Sequence, residues 1–170
     1  MRVSIGNEYI DYDHVVLASH ADQSLKMIDE PTKEEKEILT KFSYVSNNAY
    51  LHLDKNLMPQ RKSAWSSWNS ITKENKTCVT YWLNKLQNLK TEKNYFLTLN
   101  PVEKINEENV IKKINFTHPY FNSENVSLQK DLHSLQGKKR TWFCGSYFGY
   151  GFHEDGLKSS MELIKYFKTI

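Results

Sequence analysis

Between Gly145 and Gly156 the chain gathers four of its six glycines into twelve residues, interleaved with Tyr147, Phe148, Tyr150 and Phe152. Glycine is needed where the backbone takes a positive φ or comes close to another group. A loop built this way, with rings between the glycines, can wrap a flat ligand. A tight strand-to-helix connection with no ligand uses the same residues. A helix opening at about Gly156 would offer open N–H groups and the positive end of its dipole to a phosphate or an electron-rich ring edge. Two other chemistries fit less well. Cys144-Gly145-Ser146 is not a nucleophile elbow, because Phe148 stands where the second glycine is required. His153, Glu154 and Asp155 have metal-ligating side chains, but an acidic residue before a glycine at a helix start is more often a cap, and no metal is expected.

The elements around this loop follow from the hydrophobic pattern. Val3 to Ile10 reads as a β-hairpin turning at Gly6-Asn7. Tyr12 to Ala18 is a β-branched apolar run of the kind buried on both faces of a sheet. It ends in Ser19-His20-Ala21-Asp22-Gln23 and a short helix with Leu25, Met27 and Ile28. Thr32 and Glu35 form a capping box for a helix reaching about Phe42. Ser46 to Leu53, Ala64 to Ser70, Thr77 to Trp82 and Tyr95 to Leu99 alternate like half-buried strands, joined by exposed turns at 59–62 and 73–76. Their connections are too short for crossover helices, which implies a largely antiparallel sheet. Asn100-Pro101 ends the last of them. Val110 to Phe116 is a further strand, Ser123 to Leu135 is helical, and Thr141 to Gly145 is a compact apolar strand. Gly156 to Phe167 is a final helix with Leu157, Met161, Ile164 and Tyr166 or Phe167 inward.

The fold class expected is α+β: a mainly antiparallel sheet with helices, flanked by partial pieces of an α/β domain. Three regions are expected, 1–30, 31–137 and 138–170. Lys and Arg exceed Asp and Glu by 23 to 20, and the basic residues are dispersed, so charge points neither to nucleic acid nor to an anionic membrane. Cys78 and Cys144 are far apart and form no metal or disulfide pattern. With no membrane-length apolar run and no apolar leader after Met1, a cytoplasmic protein is expected. Aromatic residues make up 13% of a chain of mean hydropathy −0.67. Trp65, Trp68, Tyr81, Trp82 and His118 either line a substrate pocket or pack a sheet.

The segment from Trp142 to Leu157, WFCGSYFGYGFHEDGL, strongly resembles the C-terminal signature of a bacterial family of predicted NAD/FAD-binding proteins in the flavin-containing amine oxidase and phytoene desaturase superfamily. Further blocks follow in the family's order: DHVVLASHADQ from Asp13, AWSSWN from Ala64, TYWLNKL from Thr80, FLTLNP from Phe96 and HPYF from His118. The resemblance implies the C-terminal part of an FAD-dependent oxidoreductase that passes hydride from a small-molecule substrate to flavin. It implies that the middle region is the substrate domain and the two ends are pieces of the FAD domain. By the same resemblance the cofactor-binding positions are Ser19, His20, Ala21, Gly145, Tyr147, Phe148, Tyr150, Gly151, Glu154, Asp155, Gly156 and Leu157, with Asp155 to Leu157 at the centre. His20, His118 and His153 are candidates for proton handling or for structural contacts. Ser146 stands directly after Gly145, where many amine oxidases carry an acidic residue that contacts the ribityl-phosphate region, so the resemblance does not carry that contact over. No GxGxxG occurs in the chain, so the dinucleotide-gripping βαβ unit has no counterpart here. An upstream polypeptide carrying that motif is therefore a possible partner. The alternative is a non-catalytic remnant, or a split-protein half that needs such a partner to bind FAD.

Overall fold

The structure, a computed structural model, describes residues 1–167. Its elements in order are β1 (Arg2–Ile5), β2 (Glu8–Asp11), β3 (Val15–Leu17), α1 (Ala21–Met27), α2 (Lys33–Leu39), β4 (Ser43–His52), β5 (Trp68–Lys73), β6 (Lys76–Trp82), α3 (Leu83–Leu86), β7 (Phe96–Leu99), β8 (Val110–Tyr120), α4 (Ser123–Leu128), β9 (Thr141–Phe143) and α5 (His153–Phe167). Two compact units result, one of residues 1–45 with 118–170 and the other of 46–117. The expected boundaries lay instead at 30/31 and 137/138. The reason for the difference is packing: Ile38 and Leu39 of α2, with Leu132 and Leu135 from the helical turns after α4, share one core with Ala21, Phe143 and Tyr147.

In the first unit β3 and β9 pair in parallel, Val15 opposite Thr141 and Leu17 opposite Phe143. Successive residues of β9 point to opposite faces. Phe143 enters the core with α1 and α2, while Trp142 packs with Leu163 and Phe167 of α5. Helices thus lie on both faces of a sheet only two strands wide. The capping box forms as the sequence implies, Glu35 N–H donating to Thr32 Oγ1 at 3.2 Å and Thr32 N–H to Glu35 Oε2 at 2.6 Å. The hairpin β1–β2 turns through Gly6, whose φ of 62° suits glycine.

The second unit is built on a five-stranded sheet in the order β5-β6-β7-β4-β8. The pairs β5–β6, β6–β7 and β7–β4 are antiparallel. Glu74 and Asn75, both at positive φ, make the tight β5–β6 turn. Ala64 to Ser70 is not a single strand: residues 62–64 form a short 3-10 turn and β5 starts only at Trp68. Register places Asn69, Thr80, Thr98 and Tyr50 in one row across four strands, with Trp82, Phe96 and His52 beside it on the same face. Met58 and Trp65 cover Phe96 on that face, with Trp82 packed against them.

This covered face is unusually polar. Asn69, Thr80, Thr98 and His52 are all buried, and buried polar groups need partners. His52 Nε2 lies 2.8 Å from Thr98 Oγ1, Thr98 Oγ1 lies 2.8 Å from Thr80 Oγ1, and Asn69 Nδ2 donates to the Thr80 carbonyl at 3.3 Å. Burial holds the His52 pKa below its ordinary value, with the charge of Asp54 opposing the shift. The folded state therefore favours neutral imidazole. The unfolded chain binds a proton more readily, so His52 contributes stability that is complete above the ordinary histidine pKa and is lost as pH falls below it. Urea unfolding should give a stability that rises between about pH 5 and 7, and His52→Gln should flatten that rise.

Candidate functional site

The carboxyl ends of two parallel strands are where open α/β sheets bind ligands. Here β3 and β9 end side by side, and the last rung is the Cys144 N–H donating to the Leu17 carbonyl at 3.2 Å. Beyond it, a Cβ placed on Gly145 would lie 3.5 Å from the Ser19 carbonyl oxygen, so the two loops abut. Ser19 Oγ lies 2.9 Å from the buried Ser24 Oγ. His20 caps α1 and stacks on Tyr44, ring centroids 4.3 Å apart. The Tyr44 hydroxyl accepts from the Ala21 N–H at 2.8 Å. Burial pushes the Tyr44 pKa up to about 12, so the group stays protonated. Tyr44 is a residue that pattern reading missed. It opens a strand far from the glycine motif, and only the fold brings it to α1.

From Gly145 the chain makes a 3-10 turn over Ser146 to Phe148, in which the N–H groups of Gly149 and Gly151 both donate to the Ser146 carbonyl at 3.1 Å. The helix α5 begins at His153 and not at Gly156. Asp155 folds back over the loop, its Oδ2 accepting from Tyr150 N–H and Phe152 N–H at 3.0 Å each. The Asp155 and Gly156 N–H groups both donate to the Phe152 carbonyl, at 3.1 and 3.3 Å. The first-turn donors without a partner one turn back in the helix are consequently those of His153 and Glu154. Gly145 N–H donates to Ser159 Oγ at 2.9 Å, and Ser159 Oγ donates to the Gly156 carbonyl at 2.8 Å, which fastens the strand end to α5.

Three of the loop glycines, Gly145, Gly149 and Gly151, are required by the chain's own packing. At Gly145, φ 154°, a Cβ would fall 2.8 Å from the Tyr147 ring; at Gly149 it would fall 2.5 Å from the Asp155 carboxyl; at Gly151, φ 88°, it would meet the Phe121 ring at 3.0 Å. Tyr147 lies in the core, edge-on to Phe42 with centroids 5.5 Å apart, and burial drives its pKa far up. Phe148 is half-buried, whereas Tyr150, Phe152 and Leu157 stand in solvent beside the helix start. Ser19, His20, Ala21, Gly145 and Gly156 therefore come together around the strand ends. Glu154 is exposed on the first turn of α5.

The aromatic set of the second unit divides between the two faces of the sheet. Trp65 and Trp82 belong to the covered face, edge to face at 5.3 Å. Trp68 and Tyr81 lie on the opposite face, ring centroids 5.6 Å apart. Register continues their row through Leu97 to Leu51, with Val79, Leu99 and Ala49 on the same face. Trp68 is 66% exposed and the leucines are half-buried. Tyr81 and Val79 are half-buried as well, and Ala49 is buried, so that of this set Trp68 is the exposed member. Two open grooves of about 450 and 250 Å³ occur elsewhere in this unit, one beside Tyr50 and Asn100, the other beside Trp65 and Phe96. Neither includes Trp68 or Tyr81. His118 is exposed near the end of β8. Among the described residues no group of three His, Cys, Asp or Glu could hold a metal ion, and no helix is long and apolar enough to cross a membrane.

No family model and no curated protein matches the sequence. Among solved structures the chain is similar to the crystal structure of the CLA-producing fatty acid isomerase from P. acnes, with a TM-score of 0.64 and 14% identity. The match covers 98% of this chain and 44% of the isomerase chain, so these residues span less than half the length of that structure. At this identity the likeness is one of fold.

Two substitutions test how the loop is held. Gly145→Ala should cost about 1–3 kcal/mol through its positive φ and the Tyr147 contact, and Tyr147→Leu in the same chain should recover the steric part. Asp155→Ala should leave the core intact but make the segment 149–152 the first site of limited proteolysis, because two backbone donors lose their acceptor.

Proposed function

We propose that the chain is the C-terminal part of an FAD-dependent oxidoreductase of the amine oxidase type. The observation that carries it is the meeting of the β3 and β9 carboxyl ends with the glycine loop and the start of α5, the position at which open parallel sheets take nucleotide-like ligands. The donor set suits the electron-rich edge of a flavin ring: open N–H groups of His153 and Glu154 at a positive helix end, with the exposed rings of Tyr150 and Phe152 beside them. FAD, when bound, supplies a two-electron acceptor for hydride from substrate. Tyr150 and Phe152 would pack against the ring and exclude water. Asp155 would act by holding the loop that carries those rings, and Ser19 to Ala21, pinned by Tyr44, would line the opposite wall. Gly145, Gly149 and Gly151 are not counted as a cofactor cradle, since internal packing already demands them.

An apolar substrate is favoured over a charged amine. The row Trp68, Tyr81, Leu97 and Leu51, of which Trp68 is exposed and the others half-buried, offers acyl-like chains a hydrophobic surface, and the similar solved structure is titled a fatty acid isomerase. The exposed apolar faces of the first unit favour a second reading as well, in which the chain is one half of a protein, or its remnant, and holds no flavin until a further polypeptide joins it.

Titration of the purified chain with FAD tests the proposal. Saturable quenching of flavin fluorescence is expected, weakened about tenfold in Phe152→Ala. Anaerobic addition of an unsaturated fatty acid should then bleach the flavin absorbance. No uptake of FAD, alone or with any polypeptide bound to the first unit, would overturn it.

A further inference from the structure

Along the chain the basic residues are dispersed, which is why charge by itself points to no membrane; the fold gathers six of them at one place in the second unit. Lys55, Arg61 and Lys62 lie on residues 55–68, Lys85, Lys90 and Lys93 on residues 83–94, and Glu92 is the one carboxylate of the two segments. β4 ends at His52 and β6 at Trp82, while β5 opens at Trp68 and β7 at Phe96. Register sets Phe96 beside both His52 and Trp82, and Trp68 beside Tyr81, so both segments leave or enter the sheet at the same end. They meet there. Lys62 Nζ lies 5.9 Å from the centre of the Trp65 ring, Lys85 Nζ donates to the Trp65 carbonyl at 3.5 Å, and Lys55 and Lys93 line the groove beside Trp65 and Phe96.

This charge is not neutralised within the chain. None of the six cations forms an ion pair among the described residues, whereas in the same unit Lys73 pairs with Glu103 at 3.0 Å and Lys113 with Glu107 at 2.9 Å. Asp54, buried next to Lys55, accepts instead from the Asn56 and Asn106 N–H groups at 3.0 Å each. Like charges gathered in this way repel one another unless an anion lies against them. The second segment also holds apolar side chains in water. The Asn84 side chain clasps its base, Nδ2 donating to the Lys93 carbonyl and Oδ1 accepting from Tyr95 N–H, each at 2.7 Å. Every residue from Lys85 to Lys93 is exposed, Leu86 by 43% and Leu89 by 38%, and Trp68, 66% exposed, stands at the same end of the sheet.

We propose that this end of the second unit docks on an anionic lipid surface, with Leu86 and Leu89 entering the acyl layer and the surrounding lysines against the lipid phosphates. Lysine suits that boundary because its stem lies along apolar surface while its ammonium stays at the headgroups, and each cation near an anionic leaflet adds to the attraction. A lipid is favoured over a nucleic acid because exposed leucines find no partner on a phosphate backbone but gain from burial among acyl chains. The docked end is also where Trp68 begins the apolar row assigned above to acyl chains. The proposal rests on that substrate reading only for the route from bilayer to row; docking itself needs neither flavin nor substrate.

Sedimentation of the purified chain with vesicles of phosphatidylcholine and phosphatidylglycerol in a two-to-one ratio tests it. Binding is expected, and it should weaken about a hundredfold when Lys85→Gln, Lys90→Gln and Lys93→Gln are combined. Leu86→Ser with Leu89→Ser should weaken it about tenfold, and Lys73→Gln with Lys76→Gln, at the opposite end of the sheet, should leave it unchanged. An environment-sensitive fluorophore on Leu86→Cys should shift to the blue on these vesicles while one on Asn75→Cys does not; Cys78 and Cys144 are buried and stay unlabelled. No sedimentation, sedimentation that the leucine changes leave intact, a label at position 86 that stays in water, or equally tight binding to a short DNA duplex overturns the proposal. FAD uptake is scored separately: a colourless chain that binds vesicles sinks the flavin assignment alone, and a chain that takes up FAD but ignores vesicles sinks this one alone.

Discussion

The short parallel ladder between β3 and β9 is the constraint on which the first unit depends. Its last rung, Cys144 N–H to the Leu17 carbonyl, fixes where two loops leave the sheet, and both loops run directly into helices. Because β9 alternates its side chains, Phe143 must enter the α1/α2 core while Trp142 anchors α5 on the opposite face. The helix starts then have little choice of position. Ser159 completes the arrangement by bonding Gly145 N–H on one side and the Gly156 carbonyl on the other.

Asp155 shows how the glycine loop holds itself together. Its carboxylate takes the N–H groups of Tyr150 and Phe152, which otherwise would be loose donors on a turn. The same contact turns the two rings outward and requires glycine at position 149. A rigid loop with exposed rings is the geometry a flat ligand needs, because a preorganised surface loses less entropy on binding.

In the second unit a row of buried polar side chains runs through the covered face beside the apolar core of Met58, Trp65 and Phe96. The face packed under Trp65 and Met58 contains His52, Thr98, Thr80 and Asn69, linked by hydrogen bonds of 2.8, 2.8 and 3.3 Å that leave the buried His52 Nδ1 without a partner. Such a network is held together by low dielectric and by the absence of competing water. The opposite face carries Trp68, Tyr81 and three leucines.

Much of this was legible in the sequence. The capping box at Thr32 and Glu35, the turns at Gly6 and at Glu74-Asn75, the strands 76–82 and 96–99 and the antiparallel character of the middle sheet are set by residues within a few positions of one another, where local geometry decides. The glycine loop was found for the same reason, although the start of α5 was placed three residues late because Asp155, not the Asp-Gly step itself, supplies the cap. Which face each element buries was another matter. Leu157, Met161 and Ile164 have a helical period like that of Ser159, Leu163 and Phe167, and the second set faces inward because Trp142 and Gly145 N–H stand ready to receive it. Trp65 lies before β5, after a 3-10 turn, and packs over Phe96 on the covered face, while Trp68 opens the strand on the other face. Tyr44 reached α1 only through the fold. Local pattern determines which elements form and where they turn; orientation depends on partners distant in sequence, and only the tertiary structure supplies those.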